Sequence, residues 1–164
     1  MTMIAAIIRW VIGLWALAGG LLLLAIVLLN AASLVGNVFL RQPVPGDFEI
    51  VEMGVAVAVF AFLPYCQITG ANVSADIFTA WAGPRTISVL SMIASLIALA
   101  IAVLLLWRMS YGLIDYRLYR EVTTIYQIPI WTAFVPILIS LFLLTLGCLL
   151  TLIDALQGKA QTYR

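Results

Sequence analysis

The chain has 164 residues, 65% of them hydrophobic and 9% charged, with a net charge of +1 and no histidine, and its mean hydropathy is +1.19. Eight basic and seven acidic side chains cannot clothe a soluble core of this size, so most of the chain is solvated by lipid rather than water. Without clustered Lys and Arg there is no nucleic-acid footprint, and without histidine there is no haem ligand and little basis for proton or metal chemistry.

Four long apolar stretches take up nearly all of the sequence, and three carry no charged residue through their middles. The expected fold is an all-α membrane protein, a single membrane domain over residues 1–164, with four transmembrane helices and short interfacial amphipathic helices. This inventory argues against an enzyme and calls for no cofactor. Cys66 and Cys148 are isolated in apolar stretches, with no C-x-x-C or metal spacing, and read as small packing residues.

The first span runs over about residues 10–38, more than the roughly 20 residues a bilayer core requires, so the helix tilts or continues past the membrane. Residues 1–8 are themselves apolar and lack a small-residue cleavage pattern, which reads as an uncleaved signal-anchor. Asn30, Ser33 and Asn37 recur at spacings of three and four and share one helical face. A polar face of that kind suits hydrogen bonding to a neighbouring helix, since amides and a hydroxyl alone offer no charge to hold an ion.

Arg41-Gln-Pro-Val-Pro-Gly-Asp47 then breaks the helix in a tight interfacial turn. The second span covers about residues 48–68, with Asp47 as the expected N-cap and Glu49 and Glu52 in the first turns, where the helix dipole favours negative charge. Glu52 lies further toward the hydrocarbon and calls for a partner, either Arg41 or a basic residue of another subunit. Pro64 is expected to kink the far end of this helix. Residues 67–85 are too polar for hydrocarbon but carry Val73, Ile77 and Trp81 at a repeat of four, so a surface helix is expected over about 72–82, capped by Ser74 and ended by Gly83-Pro84.

The third span, about residues 86–107, is rich in small residues at helical spacing (Ser88, Ser91, Ala94, Ser95, Ala98, Ala102), which places it at the centre of the bundle. From Arg108 to Ile128 the chain is polar and rich in tyrosine, with Tyr111, Tyr116, Tyr119 and Tyr126 between Trp107 and Trp131, as expected of a membrane-interface belt. Ile114, Leu118, Val122 and Ile125 form one stripe, so a second surface helix is expected over about 110–126, with Arg117 and Glu121 paired at i,i+4. The alternative for this cluster is a docking surface for a soluble partner, anchored by Tyr and Arg. The fourth span covers about residues 130–156.

Three stretches carry a family resemblance. Pro45, Gly46 and Glu49 form a Pro-Gly-x-x-Glu turn entering the second span; Phe62-Leu63 followed by Gly70, Val73 and Asp76 matches the segment after it; and Ile128-Pro129-x-Trp131, with Pro136 five residues on, precedes the fourth. In order and spacing the chain resembles the small membrane subunit of tripartite ATP-independent periplasmic (TRAP) transporters. Asn72, Ala75 and Pro64 stand where many members have His, Val and Gly.

The resemblance implies a non-catalytic subunit in the bacterial inner membrane. Its partners would be the lipid bilayer, a large multi-span membrane subunit and, transiently, a periplasmic substrate-binding protein. In that family the large subunit resembles an elevator carrier that holds the ion and substrate sites, and the small one a brace for its scaffold during uptake of organic acids or acidic sugars. The candidate partner-interface residues are Asn30, Ser33, Asn37, Arg41, Glu49, Glu52, Asp76, Tyr116, Arg117, Tyr119, Arg120 and Trp131. The alternatives are the small subunit of another tripartite carrier, or a stand-alone four-helix exporter, although an exporter needs a carboxylate near the middle of its first span. Basic residues divide four against four between the two sides of the membrane, so the expectation that both termini are cytoplasmic rests on the resemblance.

Overall fold

The computed structural model describes residues 3–41, 45–70 and 84–156. They form four long helices: α1 (Met3–Leu40), α2 (Asp47–Thr69), α3 (Pro84–Leu118) and α4 (Trp131–Leu156). Each is long and apolar enough to cross a bilayer. At 1.5 Å per residue, α1 and α3 are about 57 and 52 Å long, well beyond the roughly 30 Å of a hydrocarbon core, whereas α2 and α4 are closer to that length.

The helices do not close into a bundle. α1 packs on α2, α2 on α4 and α4 on α3, with a lesser contact between α1 and α4, so the order across the molecule is α1, α2, α4, α3. The placement of the third span at the centre is therefore corrected. α3 packs chiefly on α4 and is the least buried helix, while α4 is the most buried. Ser95 and Ala102 of the small-residue stripe are buried as that stripe implied, but α3 packs chiefly on one neighbour, and Ala94 faces outward. Small residues permit close approach without dictating how many helices approach.

The joint between α1 and α2 is close. A Cβ added to Gly19 would lie 2.7 Å from Ala61 Cβ, so only glycine fits where the two backbones cross. Ile12, Ile68 and Leu143 join α1, α2 and α4 in a small apolar core. Polar groups reinforce it across helices: Trp15 Nε1 donates to Ser140 Oγ at 2.8 Å, and Gln67 Nε2 donates to Thr151 Oγ1 at 3.2 Å. In lipid such bonds contribute about 0.6 kcal/mol each on average, because the same groups also find partners when the helices are apart in the membrane. Pro64, expected as a kink, is fully buried inside a helix that runs on to Thr69.

Arg9 and Asp154 form an ion pair at 2.7 Å, joining the start of α1 to the end of α4. This is the near end of the molecule; the opposite, far end holds the last turns of α1, the start of α2, the end of α3 and the start of α4. The surface helix expected over 72–82 lies outside the described residues, as does Asp76.

The second surface helix, expected over 110–126, is replaced by different structure. No residue between Arg108 and Leu118 stops a helix, so those turns continue α3. The chain then reverses through Arg120, which has φ 52°, and residues 119–130 form a hairpin-like loop with an antiparallel bridge between Val122 and Pro129. Thr123 N–H donates to Ile128 C=O at 3.0 Å, and Ile130 N–H donates to Glu121 C=O at 3.1 Å. The i,i+4 pair of Arg117 and Glu121 is thereby lost, because the helix ends between them.

Candidate functional site

The far end gathers most of the candidate residues, and its organising group is Glu49. Gly46, not Asp47, is the N-cap of α2: it has φ 71°, and its carbonyl accepts from Glu49 N–H and Ile50 N–H. Asp47 is the first helical residue and turns its carboxylate to α1, where it accepts from Ser33 Oγ, and also from Phe48 N–H at 2.7 Å. One turn on, the Glu49 carboxylate accepts the backbone N–H groups of Ile125 at 2.7 Å and Tyr126 at 3.1 Å, at the tip of the loop. A carboxylate taking two backbone donors through its two oxygens fixes direction as well as distance.

The same tip packs on the α2 cap. A Cβ at Gly46 would fall 2.5 Å from Tyr126 Cε2, and the positive φ independently favours glycine there. The loop is held from its other side by Thr123 Oγ1, which accepts from Ile128 N–H at 3.0 Å. The Pro-Gly-x-x-Glu turn thus meets the tip of the loop whose last residues, from Ile128, are the Ile-Pro-x-Trp segment that enters α4.

Around this clamp the aromatic belt is ordered by stacking. Tyr116 packs on Phe134 with ring centroids 5.0 Å apart, and the Arg117 guanidinium lies 5.7 Å from the centre of the Trp131 ring. Trp107 and Tyr111 meet edge to face at 5.4 Å. Tyr119, Arg120 and Arg41 are exposed. Glu52, which was expected to need Arg41 or another cation, is exposed and forms no ion pair among the described residues.

The polar face of α1 behaves in part as expected. Ser33 is buried and reaches α2, whereas Asn30 and Asn37 are exposed. With Leu34 and Asp47 these three line an open groove of about 220 Å³ at the far end, between α1 and α2. Sequence reasoning ranked Glu52 above Glu49 and passed over Asp154. Glu49's partners lie 76 and 77 positions away in sequence, and only the turn motif that contains it pointed to a special role. Among the described residues no cluster of three His, Cys, Asp or Glu side chains is placed to hold a metal ion.

Comparison with protein families gives a match over residues 26–158 to the family described as "Tripartite ATP-independent periplasmic transporters, DctQ component". The chain belongs to the DctQ family. DctQ proteins are the small, non-catalytic membrane components of TRAP transporters, and the tripartite system supplies a large membrane component and a periplasmic binding protein as partners. The family match takes in the whole of α2, α3 and α4, the clamp and the groove. Neither curated proteins nor solved structures give a significant match to this DctQ component.

Proposed function

We propose that this DctQ component braces the large component of its TRAP transporter, holding a broad, fixed wall against which the carrier moves during ion-coupled uptake of organic acids or acidic sugars. The observation that carries this reading is the open row of four helices. A carrier coordinates its cargo at discontinuous helices or polar midplane groups, whereas these helices run unbroken and their cross-helix polar groups are engaged with one another. A row joined mainly through neighbouring helices leaves wide apolar faces uncovered, which suits a subunit whose work is contact.

The far end faces the periplasm in this proposal, and the clamped loop with Tyr119, Arg117 and Arg120 meets the binding protein. The near end, with both termini, is cytoplasmic, and the membrane is the bacterial inner membrane. The test is to tag the C-terminus, solubilise native membranes in mild detergent and identify what co-purifies in equal amounts. A large polytopic membrane protein supports the brace. A self-associated small protein without it refutes the brace and favours a stand-alone exporter. A topology reporter fused after Arg164 that reads out as periplasmic would overturn the orientation and the docking face together.

A further inference from the structure

We propose that the groove between α1 and α2 at the far end is a socket for a Lys or Arg side chain of the large membrane component, with the last turns of α1 as its apolar rim. The inference rests on the reading of this chain as that component's partner and adds the surface and the chemistry of the contact.

Three observations meet here. The groove is lined by Asn30, Ser33, Asn37 and Asp47, an array of amide and hydroxyl oxygens around one carboxylate, which is an acceptor surface for a cationic donor. Asp47 is half-buried, and its hydrogen-bond donors among the described residues, Ser33 Oγ and Phe48 N–H, are uncharged. The α2 N-terminus favours this carboxylate by its dipole, but no cation pairs with it among the described residues.

The second observation concerns the rim. Leu34, Val35, Val38 and Phe39 are exposed, Phe39 to 79%, and Phe48 at the start of α2 is exposed to 75%. The third is their height. From Arg9 to Leu40 the axis of α1 runs about 46 Å, and at a tilt of roughly 40° it still rises about 36 Å, against a core of about 30 Å. With Arg9 at one boundary, the last turn of α1, with Val38 and Phe39, stands beyond the hydrocarbon at the other even at that tilt.

Lipid tails therefore do not cover Val38 and Phe39, and the interface covers such side chains less completely than an apolar protein surface does. A protein surface carrying apolar residues around a central cation fits both parts, an arrangement in which an engaged charge sits inside an apolar ring. The large component is the partner embedded at the same height, and four spans standing in the same membrane bring it alongside α1 without any rearrangement.

The test places a photo-crosslinking amino acid at Asn37, and separately at Leu104 on the outer face of α3, in the assembled transporter in native membranes. The expected result is an adduct from position 37 to the large component, mapped by mass spectrometry to a segment containing Lys or Arg. Asp47→Asn should then weaken retention of the large component roughly tenfold in detergent, while Asp47→Glu keeps most of it.

If the large component co-purifies but position 37 crosslinks to lipid, to the binding protein, to a second copy of this chain or to nothing, the socket is refuted and the brace stands. Retention unchanged in Asp47→Asn refutes the charge requirement. Loss of co-purification in the unmodified protein would instead remove the underlying reading. Because Asp47 also holds Ser33, the crosslink from Asn37, whose side chain is exposed, keeps the test independent of any folding defect in the Asp47 variants.

Discussion

Gly46→Ala probes the far-end clamp most directly, because two separable penalties act at one atom. A non-glycine residue at φ 71° costs about 1–2 kcal/mol from the clash of Cβ with the backbone. The new Cβ would also lie 2.5 and 2.7 Å from Tyr126 Cε2 and Cδ2, and 3.3 Å from Ile125 Cγ2, so the ring and the loop tip must move. Overpacking of that kind costs about 1–3 kcal/mol, for a total of about 2–5 kcal/mol. Tyr126→Ala removes the ring but leaves the backbone strain and the 3.3 Å approach to Ile125 Cγ2, so in that background the cost of Gly46→Ala should fall toward the first, about 1–2 kcal/mol. The assay is SDS titration of the full-length protein in mixed micelles, followed by tryptophan fluorescence, on the four members of the double-mutant cycle. Equal costs of Gly46→Ala in the two backgrounds would refute the contact between the cap and the loop.

Three further outcomes are expected. Glu49→Gln keeps the shape but removes the charge and one acceptor oxygen, so the Ile125 and Tyr126 amides should exchange hydrogen faster while Ile130, which donates to Glu121, stays protected; unchanged exchange at 125 and 126 would mean that Glu49 does not tie the loop down. Arg9→Leu and Asp154→Leu should each cost about 1–2 kcal/mol, a figure reduced from that of a fully buried pair because the side chains are 28% and 31% exposed. The double variant should cost less than the sum, and strict additivity would show that the pair contributes nothing. Gly19→Ala should destabilise by about 1–3 kcal/mol through its 2.7 Å approach to Ala61 Cβ, with recovery in Ala61→Gly; failure of that second change to rescue would place the strain elsewhere.

The four spans were legible in the sequence because a bilayer imposes length and polarity together. α2 and α4 begin and end within a residue of where the apolar runs do. α1 and α3 are longer than the expected spans, since a helix need not stop at the interface unless a residue there stops it, and Arg108 does not. The tyrosine-rich stretch misled for a related reason. Ile114, Leu118, Val122 and Ile125 form a stripe only if the helix continues, and the reversal at Arg120 breaks that premise. Polar residues were better guides to position than to partner. Ser33 was rightly placed against a neighbouring helix, but Glu52 was favoured for its depth, whereas Glu49 has its donors on a loop brought over by the fold. The arrangement of the row was not legible, because through their middles the helices are largely apolar on all sides and lipid gives no signal to distinguish a packed face from a free one.

The helix order has a consequence for how the chain is assembled in the membrane. α1 and α2 are consecutive and packed, as are α3 and α4, so each pair is a helical hairpin that can enter the bilayer as a unit during synthesis. The seam between the hairpins is the face of α2 on α4, with Ile68 and the Pro64 carbonyl lying over Gly147. That seam forms only after α4 has emerged, and the Arg9–Asp154 pair and the Glu49 clamp then close it at opposite ends. The two halves are therefore candidates for separate expression, cut between residues 71 and 83, with reassembly in the membrane reporting on the seam alone.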